Sequence, residues 1–65
     1  MTEPRDITIS FEMTVSQAIA YAQLLKRMAF VDYRSNAASD GEAYEMLYAA
    51  EKIRDALTRQ GFAPH

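Results

Sequence analysis

Asp6-Ile7-Thr8-Ile9-Ser10-Phe11-Glu12 alternates polar and apolar residues with period 2, the pattern of a half-buried β-strand. Ile7, Ile9 and Phe11 fall on one face of such a strand, and Thr8, Ser10 and Glu12 on the other. Nothing after Met13 carries a second run of this kind. A lone strand leaves a row of backbone donors and acceptors open. The sequence therefore predicts a mate from a second copy of the chain, antiparallel across a two-fold axis, with Ile9 inward near the ribbon centre. The expected fold class is α+β: one short N-terminal strand followed by two helices, a single strand-helix-helix domain over residues 1–65, dimeric through an antiparallel two-stranded ribbon.

Size argues the same way. A chain of 65 residues buries only about 60% of the surface that its unfolded form exposes, so small domains lean on disulfides, metals or oligomerisation. There is no cysteine, which removes disulfides and thiolate zinc sites. The one histidine is His65, the final residue, so neither a histidine-based metal site nor a catalytic triad is expected. Oligomerisation is what remains. Hydrophobic residues make up 49% of the chain, well above the disordered range. The net charge of −2 is not the basic footprint of a general nucleic-acid binder. No apolar run approaches the ~18 residues of a membrane span. The opening Met1-Thr2-Glu3-Pro4-Arg5-Asp6 lacks the layout of a signal peptide. A cytoplasmic protein without membrane contact is expected.

Pro4 keeps Glu3 out of helix, so residues 1–5 read as a loose lead-in. Thr14-Val15-Ser16-Gln17 fits a capping box and should open helix 1, which the apolar pattern carries to Arg34. Its main stripe is Ala18, Tyr21, Ala22, Leu25, Met28, Ala29 and Tyr33; Ala20, Leu24 and Val31 make a second, with Ile19 and Phe30 also apolar. A helix apolar around most of its girth is buried on more than one side, a second reason to expect a dimer. Ser35 to Gly41 is the connection. Ser39-Asp40-Gly41-Glu42 repeats the capping pattern, and helix 2 should run from Asp40 to Gln60. Ala43, Met46, Leu47, Ala50, Ile53 and Leu57 form its inner face, and Asp55 with Arg59 an i,i+4 ion pair. Gly61 supplies a left-handed stop, Phe62 folds back on Leu57 as in a Schellman ending, and Pro64 bars continuation.

The chemistry-bearing residues are few. Glu51 and Asp55 are an i,i+4 carboxylate pair, but no phosphate loop, nucleophile–base pair or ligand cluster accompanies them. No enzyme activity, cofactor or metal is expected. Tyr44 and Tyr48 lie one turn apart beside the inner face of helix 2. Tyrosine suits surfaces apolar on one side and wet on the other, so the pair either widens the dimer core, the preferred alternative, or forms a partner site. Lys26, Arg27 and Arg34 fall on the narrow polar side of helix 1, with Arg27 and Arg34 seven apart and aligned. They make either a plain solvated face or a docking patch for an acidic partner. The candidate partner-binding residues are thus Arg27, Arg34, Tyr44 and Tyr48. The candidate dimer-forming residues are Ile7, Ile9, Phe11, Leu24 and Val31.

Strand then two helices, dimeric through the strand, resembles the ribbon-helix-helix plan in element order. That resemblance implies outward strand residues, here Thr8, Ser10 and Glu12 with Arg5 before them, reading bases in the major groove. It also implies phosphate at the N-terminus of the second helix, where this chain carries Asp40 and Glu42. Glu12, Asp40 and Glu42 all oppose such binding, so DNA is the disfavoured partner. Ala20-Tyr21-Ala22-Gln23-Leu24-Leu25-Lys26-Arg27, Asp32-Tyr33-Arg34, Glu42-Ala43-Tyr44-Glu45-Met46, Glu51-Lys52-Ile53-Arg54-Asp55-Ala56-Leu57 and Gly61-Phe62-Ala63-Pro64 resemble a family of short uncharacterised proteins of proteobacteria, their phages and integrated elements. This resemblance implies an accessory protein and brings no site residue with it. The expected function is a small dimeric, non-enzymatic protein-interaction module that binds itself and another protein. The alternative is a ribbon-helix-helix-like transcriptional regulator.

Overall fold

Thr14 opens the first helix as its sequence predicts. Its Oγ1 accepts from the Gln17 N–H at 3.1 Å, and the Gln17 Oε1 accepts from the Thr14 N–H at 2.9 Å, closing a capping box. In the computed structural model, which describes residues 5–62, three helices follow: α1 (Val15–Arg27), α2 (Phe30–Ser35) and α3 (Asp40–Arg59). Pro4, Pro64 and His65 lie outside the described residues.

The N-terminal strand is not there. Residues 6–12 form no strand and no bridge, and the described residues contain no sheet. The ribbon and the α+β class are therefore corrected to an all-helical fold. Ile7, Ile9 and Phe11 are 77%, 71% and 62% exposed, not inward in a ribbon. Alternation marks a segment that could line one face of a sheet, but a ladder needs a second row of donors and acceptors. This segment stays an exposed arm leading into α1.

Helix 1 is also not continuous to Arg34. Met28 and Ala29 take extended backbone, with φ/ψ of −73/135° and −117/169°, and split the expected helix into α1 and α2. The Met28 N–H makes the last helical bond of α1, to the Leu24 carbonyl at 3.1 Å. The Asp32 carboxylate accepts from the Ala29 N–H at 2.8 Å, the return half of a capping box started without a capping side chain. At the far end of α2, Ser35 Oγ donates to the Val31 carbonyl and Asn36 Nδ2 to the Asp32 carbonyl.

The ends of α3 lie close to where the sequence puts them. Ser39 Oγ accepts from the Glu42 N–H at 3.2 Å, while Glu42 reaches back to Ala38 N–H rather than to Ser39. Gly61 has φ 95°, the left-handed conformation that glycine adopts without a Cβ penalty. The Phe62 N–H donates to the Leu57 carbonyl and the Gly61 N–H to the Thr58 carbonyl, each at 2.9 Å. These are the two bonds of a Schellman ending, and Phe62 packs against the cluster that holds Leu57. The Asp55–Arg59 pair is not closed; the ion pair formed among the described residues is Arg34–Asp40.

The core is small. α3 packs against both α1 and α2, and the buried residues are Ala18, Ala22, Leu25, Tyr33, Ala43 and Leu57. Three of the six are alanines, so Leu25, Tyr33 and Leu57 supply most of the buried area; each leucine contributes about 1.5–3 kcal/mol. Met13, Ala50, Ile53 and Phe62 cover the cluster partly. The Cα extents are 38 × 31 × 15 Å, and the short dimension is about that of two helices side by side. The radius of gyration of 13.5 Å exceeds the ~11 Å of a compact chain of this length.

Candidate interaction surface

The break at Met28–Ala29 decides what the aromatic residues do. It restarts the helical register, so Phe30 opens α2 and turns to α3 instead of extending the α1 stripe. Its ring centroid lies 4.8 Å from that of Tyr44, the planes tilted by 36°. Tyr44 in turn stacks on Tyr48, 6.2 Å away at 30°. Both spacings are within the range for favourable aromatic pairs. The three rings form a ladder across α2 and α3, with Phe30 36%, Tyr44 48% and Tyr48 49% exposed. The tyrosines therefore do not close the protomer's interior. The sequence reading did not place Phe30 at this site. The available signal was Asp32, three residues after Ala29, which is the spacing of a capping acid without its usual Ser or Thr partner.

The two arginines part company. Arg34 Nε donates to Asp40 Oδ1 at 2.6 Å, and its Nη1 donates to the Ala37 carbonyl at 3.1 Å. Arg34 thus straps the α2–α3 connection, and its guanidinium is engaged within the chain. Arg27 ends α1, exposed and beside Lys26 in the last turn, where a cation suits the helix dipole. Their alignment along one helix fails, because the break lies between them.

Of the expected dimer-forming residues, Leu24 is 47% and Val31 68% exposed. Leu24 does line a shallow groove with Phe11, Glu12, Met13, Gln17, Ala20 and Tyr21, of 520 Å3. A second cleft, of 490 Å3, opens between the start of α1 and the end of α3, with Val15, Ala18, Ile53, Leu57 and Phe62 in its walls. Phe11 and Met13 border both, so the arm reaches the body between them.

Polar chemistry is sparse. No charged or polar residue is buried, no buried side-chain polar atom lacks a partner, and no group of metal-ligating residues forms among the described residues. Tyr33 is the one group with a displaced titration among them. Burial pushes its phenol above the ordinary value, the neighbouring Tyr21 phenol and the Asp32 and Glu51 carboxylates add to this, and Arg54 opposes it. No described helix is long and apolar enough to cross a membrane.

Fold and surface together define a small three-helix protein with a thin core and abundant exposed apolar side chains. The chain belongs to a family of unknown function, DUF7706, whose family model matches residues 1–65. Searches of curated proteins and of solved structures returned no match.

Proposed function

We propose that this protein is a non-enzymatic interaction module, working in the cytoplasm by presenting apolar and aromatic surface to another protein. The observation that carries this is the Phe30–Tyr44–Tyr48 ladder, three rings in contact and left a third to a half exposed on a chain whose core is small. Aromatic side chains bring large rigid contact area at low entropic cost and are enriched at protein interfaces. Arg27, free beside Lys26 at the end of α1, offers a second, polar contact. The resemblance to short proteins of phages and integrated elements is the support for an accessory role there. A ribbon-helix-helix regulator needs a paired strand to enter the major groove, and residues 6–12 form none. Asp40 and Glu42 in the first turn of α3 also repel phosphate.

The test is a photoreactive side chain at position 48, with position 55 as control. The expected result is a discrete protein adduct from position 48 that unlabelled wild-type protein displaces and a Tyr44→Ala variant displaces poorly. Equal labelling from both positions would overturn the proposal. So would binding to generic DNA that weakens steeply with salt, the signature of phosphate contacts.

A further inference from the structure

We propose that the arm, residues 6–12, docks by adding itself as a strand to an exposed sheet edge of a different protein. This contact lies apart from the aromatic ladder and does not depend on it.

Pattern, exposure and backbone meet in the arm. Asp6 to Glu12 alternates polar and apolar residues and contains neither proline nor glycine. Isoleucine, threonine and phenylalanine all suit a pleated backbone. Ile7, Ile9 and Phe11 are mostly exposed, so their common face is not taken up within the chain. Among the described residues, no backbone N–H or carbonyl of residues 6–12 bonds to another backbone group. The free chain therefore carries everything a strand needs except the second row of donors and acceptors.

The arm binds extended, not as a helix. Thr14 holds φ −72° and ψ 161° as the N-cap of α1, and its capping box with Gln17 closes the helix there. On a helix Ile9 would lie opposite Ile7 and Phe11, which splits the apolar face. An extended segment of alternating character is recognised by strand addition, in which main-chain bonds give affinity and alternate side chains give specificity.

The same logic selects the occupant. The described residues contain no sheet, so a second copy brings only another arm, and an isolated two-stranded pair is marginal in water. An edge strand of a different protein brings the sheet with it. Natural edge strands carry charged guards, lysine above all. Asp6 and Glu12, at the two ends of the arm's polar face, are the complementary charges for cross-strand pairs; Arg5 lies before the alternating run.

The test reads the direction of the backbone bonds. Along a strand, alternate residues turn their N–H and C=O to the same edge, and proline removes the donor. A photoreactive side chain at position 5 of the full chain, irradiated in an extract of the producing cells, reports capture. Thr8→Pro and Ser10→Pro probe one edge and Ile9→Pro the other, each compared with the alanine variant at its own position. Capture is expected to fall about tenfold or more at one edge only, as for a buried backbone partner left unsatisfied. All variants are expected to keep the helical circular dichroism of the wild type, since these positions precede α1. A loss at both edges, a loss at neither, or no capture from position 5 overturns the proposal. A chain that labels a partner from position 48 and none from position 5 overturns the docking arm and leaves the proposed function standing.

Discussion

Phe30, the first residue of α2, holds its ring 4.8 Å from that of Tyr44 on α3. The contact exists because the chain leaves helical geometry at Met28 and Ala29 and starts again. A backbone break of two residues therefore builds the aromatic face.

Tyr48 is the outer ring of that face and is half exposed. Tyr48→Ala should cost the protomer no more than about 0.5–1.5 kcal/mol, the value of the one aromatic pair it makes with Tyr44. A melting curve of the purified variant reads this. A loss of ~3 kcal/mol, the value for aromatic truncation in a core, would mean that the ring is buried in the folded form.

Gly61 ends α3 at φ 95°, and nothing lies within 4 Å of where a Cβ would stand. Strain alone therefore sets the effect of Gly61→Ala. The variant should lose about 1–2 kcal/mol, the cost of a left-handed conformation for an L-residue. Urea denaturation measures it, and an unchanged midpoint would contradict the Schellman geometry.

How far these features are legible in the sequence differs from element to element. Thr14 with Gln17, Ser39 with Glu42, and Gly61 with Phe62 mark helix ends through bonds between near neighbours, so local residue types suffice. The arm and the break do not have that property. Period 2 at Ile7, Ile9 and Phe11 describes one face of a segment and says nothing about whether a mate is present. At Met28–Ala29 every residue fits a continuous apolar stripe, and only the Asp32 side chain, binding backward, favours the break. The consequences for the surface follow directly. Tyr44 and Tyr48 were readable as an i,i+4 pair, whereas Phe30 joins them only through the break, and the same break unpairs Arg27 from Arg34.

Tyr33 gives a pH dependence. Its phenol holds its proton more tightly in the folded chain, chiefly because it is buried. Its contribution is fully present below the unfolded value, about pH 10, and is lost as the pH rises through the folded one. Wild type should therefore lose thermal stability more steeply than Tyr33→Phe between about pH 10 and 12, with little difference between them near neutrality. Parallel melting curves of the two proteins across that range check this. Identical declines would contradict it.

Association that covers exposed apolar surface must make stability depend on concentration. The six buried residues among those described include three alanines, while Ile7, Ile9, Phe11, Ile19 and Leu24 stand open. Thermal unfolding followed by circular dichroism from about 1 to 100 μM is the most direct measurement, since mass action raises the melting temperature of anything stabilised by a partner copy. The melting temperature should climb steadily across that range. A single melting temperature, unchanged over the whole range in the wild-type protein, would contradict the account.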